Sequence, residues 1–348
     1  MSRIGIVGAG FCGATLARYL AEKGHRITVF EKRDHIGGNA YDYTNEHGIR
    51  IHKYGPHLFH TNNKRVYDWL SRFTEWLPYK HQVRALLDNG DTVVLPPNKH
   101  TIDYFGSKDK MFDKLFRPYT KKMWDRDIDE LDPSIINRIK IRDDDNTYYF
   151  PNDAHQCVPK DGYTRLFERM LDHKNIIVHT RSPVNKNIIL QWDYVFNSMP
   201  IDEYFNFCHG HLEYRSIRFT HVTKDSEWAW DTANATMNFT TDDGDTRMTE
   251  WKKIPGHGVN NKKTTITYER PVDYRDNMME RYYPVKDVEG KNRALYEKYD
   301  EMASEIKNME FIGRCGKYVY IDMHQAVNMA LQTGERYENS RHSKDIQE

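Results

Sequence analysis

The stretch RIGIVGAGFCGATLARYLAEKGHRITVFE, residues 3–31, decides the fold of this chain. Residues 3–7 are a short apolar run of the kind that forms a buried strand. Residues 11–23 carry apolar side chains at helical spacing and end at Gly24, a stop signal. Residues 27–31 (ITVFE) read as the next strand. Strand, turn, helix and strand in so short a span predict a parallel pair closed by a right-handed crossover.

Between strand and helix lies Gly8-Ala9-Gly10-Phe11-Cys12-Gly13, a G-x-G-x-x-G. Gly8 permits the tight turn, Gly10 lets the backbone approach a pyrophosphate, and Gly13 lets the helix pack closely on the strand. The helix N-terminus presents free N–H groups and a positive dipole end to the phosphates. Glu31 closes the second strand, where a carboxylate accepts from ribose hydroxyls. A purely structural glycine turn would not need that carboxylate. Glu31-Lys32-Arg33 is then followed by Gly37-Gly38-Asn39. In one large class of FAD proteins a paired-glycine turn here lets the chain pass close to the extended dinucleotide, so FAD is favoured over NAD.

Lys plus Arg equals Asp plus Glu at 51 each, which argues against a general polyanion or nucleic-acid binder. A local arginine cluster can still meet a small phosphorylated ligand. The cysteines (Cys12, Cys157, Cys208, Cys315) form no C-x-x-C pair, so a reduced, cytoplasmic chain is expected. No run is apolar and long enough to span a bilayer, and residues 1–4 lead straight into a strand pattern without an export signal.

Further along, helices are expected over 66–73, 111–124 and 323–337, and a hairpin over 82–95. Strands are expected at 175–179, 194–197 and 310–313, with a second, antiparallel sheet from 217–222, 235–240 and 264–269. The last ten residues read as a frayed tail. The expected fold class is α/β: a Rossmann-like FAD-binding domain with a shortened helical insertion and a second antiparallel sheet. The FAD domain takes residues 1–75, 151–205 and 286–348. The hairpin and reduced helical substrate region take 76–150, and the antiparallel substrate domain takes 206–285.

HIGGNAYDY (35–43), HKYGPHLFHT (52–61), YTKKMW (119–124), TRMTEWK (246–252), RYYPV (281–285) and GRCGKYVYIDM (313–323) together resemble the UDP-galactopyranose mutase family, in family order and across most of the chain. The resemblance implies interconversion of the six- and five-membered ring forms of UDP-galactose, or of its N-acetylgalactosamine analogue, without net redox. Reduced flavin attacks the anomeric carbon through N5 and UDP leaves and returns. No Ser-His-Asp or Cys-His arrangement is then required, because the cofactor is the nucleophile. The protein supplies position and charge for a leaving diphosphate.

By motif, Arg142 and Arg247 are similar to the family's phosphate-clamping arginines, with Arg142 on a mobile lid. Tyr283 and Tyr320 look like its phosphate-contacting tyrosines. Trp124 and Thr120 would meet uridine and sugar, and Phe116 and Tyr119 would form a slot for uracil; for Phe116 a core position on an aromatic helix stripe is the competing reading. Asn238 resembles a substrate-contacting Asn. Cofactor contacts are expected from Gly8, Gly10, Phe11, Gly13, Glu31, Lys32, Gly38 and Asn39. His57 and Leu58 would run beside the isoalloxazine, and Arg314, Asp322 and Met323 would close over it. Asp322 also suits helix capping.

His52, His57 and His60 have no ligand spacing, and Asp143-Asp144-Asp145 sits in a polar loop context, so no metal is expected. Only about seventeen residues separate Thr101 from Tyr119, fewer than bacterial family members carry, so the helical domain is trimmed and the oligomeric state is left open. Pro118, and Trp251 where the family often has His, are further departures. An external electron donor such as NAD(P)H is implied. The alternatives are an amine-oxidase-type FAD oxidoreductase and a non-catalytic binding protein of the Rab-escort type.

Overall fold

The computed structural model describes all residues except 137–139, 242, 261 and 346–348, and no side chain of 135, 136, 188–190 or 342–345 is considered. A five-stranded parallel sheet runs in the order Ile176–His179, Arg26–Phe30, Arg3–Val7, Tyr194–Asn197, Met309–Phe311. The central strand is apolar on both faces because both are covered, as parallel sheets require. The Phe11–Glu22 helix ends where Gly24 takes φ +91. There the His25 N–H donates to Leu20 O at 3.2 Å and the Gly24 N–H to Ala21 O at 3.1 Å, a Schellman closure. The chain therefore re-enters the sheet at Arg26. Ile4, Ile6, Leu16 and Leu20 pack with Val327, Ala330 and Leu331 of the C-terminal helix in one core cluster.

The second sheet has seven strands: Tyr283–Pro284, Tyr214–Lys224, Thr264–Asp273, Arg247–Glu250, Thr236–Phe239, Val83–Leu86, Thr92–Leu95. It is antiparallel except where Thr236–Phe239 pairs in parallel with Val83–Leu86. The expected hairpin is thus part of this sheet, hydrogen-bonded to a strand far along the chain. The shortened insertion folds as Lys99–Phe105 and Lys108–Trp124. The second of these contains Pro118 and continues through it.

The two small sheets, Asp42–Thr44 with Arg50–His52, and Phe59–Thr61, His155–Pro159, Trp76–Pro78, were not legible in the sequence. Strands this short carry no readable period. The tail also differs from expectation: the Met323–Asp345 helix continues past 337, tied back by His25 Nε2 to Glu338 Oε1 at 2.7 Å. The last three residues of that expected tail lie outside the described residues. No helix among the described residues is long and apolar enough to cross a membrane.

Candidate active site

The glycine fingerprint is a set of close approaches. A Cβ on Gly13 would stand 2.0 Å from the Gly8 carbonyl oxygen, and one on Gly8, at φ +96, would stand 2.1 Å from Ser198 Oγ. The two glycine turns also meet, since a Cβ on Gly38 would come within 3.0 Å of Gly10 Cα. Gly10 is the N-cap of the first helix and leaves its end without a side-chain cap. A bare helix end in a glycine-lined cradle is what a pyrophosphate needs.

Glu31 is buried just past the second strand. Its Oε2 accepts the Ala9 N–H and its Oε1 the Arg33 N–H, each at 2.9 Å. Those bonds aim the carboxylate, and its remaining lone pairs are still open to a ribose. Helix end, cradle and carboxylate together fit a flavin dinucleotide. All the predicted cofactor residues except Leu58 line one cavity that opens from this cradle.

His57 and Arg314 lie on the wall of that cavity. The His57 Nδ1–H donates to Gly55 O at 2.8 Å, which leaves Nε2 as an acceptor. Burial, together with the guanidiniums of Arg314 and Arg247, pulls His57 down to about 4, so it is neutral. Arg314 donates to Tyr282 O at 2.8 Å and to Ile321 O at 2.5 Å. Its guanidinium lies 5.6 Å from the Tyr283 ring centre and 5.3 Å from that of Tyr320. These two rings meet edge to face at 5.2 Å, and Trp124 packs on both at 6.3 and 6.4 Å.

Arg247 opens the Arg247–Glu250 strand and pairs bidentately with Glu269, Nε to Oε1 at 2.9 Å and Nη2 to Oε2 at 2.7 Å. Burial lowers this guanidinium's pKa, yet the Glu269 carboxylate more than offsets that, and it ends well above its ordinary value. Burial, against the pull of Arg247, pushes the Tyr119 phenol up to about 12. Burial and the neighbouring Tyr320 likewise raise Tyr283, against Arg247 and Arg314. Both phenols therefore stay protonated and can donate without adding charge. Arg247, Arg314, His57, Tyr119, Tyr283, Tyr320 and Trp124 form one cationic, phenol-lined cluster at the end of the cofactor cavity.

The UDP-galactopyranose mutase family model matches residues 114–320, and a model of an NAD(P)-binding Rossmann-like domain matches residues 6–73. The UDP-galactopyranose mutase of Mycoplasma pneumoniae is 32% identical, over 95% of this chain and 95% of its own. The chain belongs to the UDP-galactopyranose mutase family. A dTDP-fucopyranose mutase of Escherichia coli is 30% identical, over 97% of this chain and 98% of its own. The crystal structure of a reduced UDP-galactopyranose mutase shares the fold at a TM-score of 0.74 and 15% identity, over 97% of this chain and 96% of the other.

Three family-matched positions lie elsewhere than the motif reading implied. Arg142 is bound to its own loop and the adjoining hairpin end: it donates to Tyr148 O at 2.8 Å, Asn146 O at 2.6 Å and Pro96 O at 3.3 Å. The expected lid is also tethered, through Arg142 N to Pro97 O at 2.9 Å and Tyr149 N to His81 O at 2.8 Å. Phe116 packs with Val83, Ala85, Met111 and Leu115 against the hairpin, a core position on the same helix that sends Tyr119 and Trp124 to Tyr283. Leu58 packs on Ile49, Ile51 and Trp251 instead of lining the cavity. Thr120 is buried on that helix. Asn238 stands in register with Arg247, and its Oδ1 is buried with no partner among the described residues.

The cavity wall also contains residues outside the expected site, among them Ser198, Met199, Arg33, Glu280, Arg281 and Glu203. Arg33 lay inside the quoted Glu31-Lys32-Arg33 run and Arg281 opens the quoted RYYPV motif. Ser198, Met199 and Glu280 come from loops, and Glu203 from the short Ile201–Tyr204 helix, that only the tertiary fold brings to the cavity. Among the described residues no three His, Cys, Asp or Glu side chains gather as a metal site.

Proposed function

We propose that this chain is a flavin-dependent mutase interconverting UDP-galactopyranose and UDP-galactofuranose. The observation that carries this reading is the cluster of Arg247, Arg314, Tyr283 and Tyr320 at the His57 end of the dinucleotide cavity. An amine-oxidase-type enzyme would want an apolar substrate cavity there, and a binding scaffold would want neither cluster nor cradle.

When bound and reduced, the flavin supplies the nucleophile for the anomeric carbon. The chain's own residues do the rest. Arg247 spends its Nε–Nη2 edge on Glu269 and turns its Nη1 side to the diphosphate. Tyr283 and Tyr320 donate to phosphate oxygens, and Arg314 steadies both rings. Tyr119 and Trp124 wall the nucleoside, and the unpartnered Oδ1 of Asn238 accepts from a sugar hydroxyl. Arg142 joins by exchanging its loop carbonyls for phosphate as the 142–150 segment closes. In this reading residues 1–75, 151–205 and 286–348 serve the cofactor, while 76–150 and 206–285 serve the substrate. An external donor such as NAD(P)H reduces the flavin. The dTDP-fucopyranose mutase relative supports testing other sugar nucleotides beside UDP-galactose.

Anaerobic, dithionite-reduced protein is expected to turn UDP-galactofuranose into UDP-galactopyranose, read by chromatography, and oxidised protein is expected to leave it unchanged. Reduced protein that converts neither this substrate nor its N-acetyl analogue would overturn the proposal. Arg247→Lys keeps the charge but loses the fork, and is expected to lower kcat/KM by about a hundredfold. Steady-state kinetics on a variant with unaltered far-UV circular dichroism checks this.

A further inference from the structure

The link between the Thr264–Asp273 and Tyr283–Pro284 strands belongs to the substrate sheet, yet Met279, Glu280 and Arg281 line the dinucleotide cavity. Met278, next to them, is 87% exposed. The segment therefore meets the cavity at residues 279–281 and solvent at Met278.

Two ion pairs hold it. Glu280 pairs with Arg33 and faces inward beside the Glu31 turn. Arg281, with its side chain only 2% exposed, pairs with Glu203 at 2.7 Å. Just before these anchors, Met278 and Met279 are consecutive non-glycine residues at φ +53 and +62. Such backbone persists only where the surroundings over-determine it; here Met279 N–H donates to Tyr274 O at 3.0 Å and Glu280 N–H to Asn277 O at 2.9 Å, and the two ion pairs add the side-chain anchors. The guanidiniums also have unused capacity: Arg33 Nε and Arg281 Nε and Nη2 are buried with no hydrogen-bond partner among the described residues. Those buried atoms face the protein interior, the Arg281 guanidinium lying 4.8 Å from the Tyr274 ring centre and 5.5 Å from that of Tyr214, so the two side chains serve as fixed parts of the wall.

We propose that residues 278–281 form a clasp that retains the dinucleotide, latched over the cavity beside Glu31 by Arg33–Glu280 and Arg281–Glu203. The inference rests on the flavin reading above. It makes cofactor retention a property of the substrate sheet as well as of the βαβ unit.

The test is the rate at which FAD leaves the purified holoprotein, followed by the rise in flavin fluorescence. Glu280→Gln and Glu203→Gln are each expected to speed release at least tenfold. Glu310→Gln, which breaks the distant surface pair with Arg336, is expected to leave the rate alone. In the unaltered protein, raising ionic strength from about 0.05 M to about 0.5 M is expected to speed release modestly, because salt screens partly buried pairs less than exposed ones. This second measurement needs no variant to fold. Release that is insensitive both to salt and to the two clasp variants would overturn the clasp alone. A protein that neither carries flavin nor takes up FAD in a titration would overturn the flavin reading, and the clasp with it.

Discussion

Gly13→Ala is expected to abolish FAD binding and to destabilise the fold by about 3 kcal/mol or more. The new Cβ would lie 2.0 Å from the Gly8 carbonyl oxygen and 3.1 Å from its carbon. These are backbone atoms, so no side chain can rotate away. Relief has to come from the helix lifting off the strand, and that movement takes the Gly10 N-cap and the cradle with it. Gly24→Ala is the control. Gly24 sits at φ +91 with nothing within 4 Å of a new Cβ, so only backbone strain is added, about 1 kcal/mol. Flavin absorbance and chemical unfolding of the two variants decide the matter. If Gly13→Ala behaved like Gly24→Ala and kept its flavin, close packing would not be what the fingerprint glycine serves.

The second large effect is with pH. His52 and His257 form a buried pair whose tautomers the hydrogen bonds assign. The His57 N–H donates to His52 Nδ1 at 3.0 Å, so His52 carries its proton on Nε2 and gives it to His257 Nε2 at 2.9 Å. The His257 Nδ1–H in turn donates to Pro255 O at 3.0 Å. Neither ring has room for another proton. Burial lowers His52 well below its ordinary value and His257 to about 4. It takes His57 to about 4 and, with Arg247, His81 to about 3.

All four bind protons less readily folded than unfolded. Their stability contribution is whole above the ordinary histidine value and is lost as pH falls from there toward about 4. Each ring takes up its proton only at a cost to the fold, so their effects on stability act in the same direction across that window. Urea midpoints are expected to hold above neutrality and to collapse between about pH 6.5 and pH 4.5. A midpoint that stays level through that window would show that these rings charge without opening the fold.

Much of the cofactor half was legible in the sequence because its signals are local. Gly8, Gly10, Gly13, Glu31 and the Gly37-Gly38 pair lie within one short span, and each answers to a backbone demand that a single residue type meets. The strand and helix periods of residues 3–31 needed no distant partner to be read. Residues 83–86 and 236–239 were readable as strands, but their parallel pairing was not, because nothing local in either segment names the other.

For the substrate site, the motifs carried the residue types but not their surroundings. The family resemblance put Phe116 and Tyr119 in one slot. The hairpin takes Phe116 into its core, while Tyr119 and Trp124 turn to Tyr283. Arg142 and Arg247 looked alike in sequence, yet one is tied to three loop carbonyls and the other to a buried carboxylate. The sequence by itself determined the βαβ nucleotide unit, its glycine cradle and the family's arginine and tyrosine complement, since these follow from short-range sterics and side-chain chemistry. Only the tertiary structure decided which of those side chains share a cavity, that Glu269 pairs with Arg247, and that a loop of the second sheet lines the cavity beside the glycine cradle. Such contacts join residues hundreds of positions apart through packing and charge, and no local pattern records them.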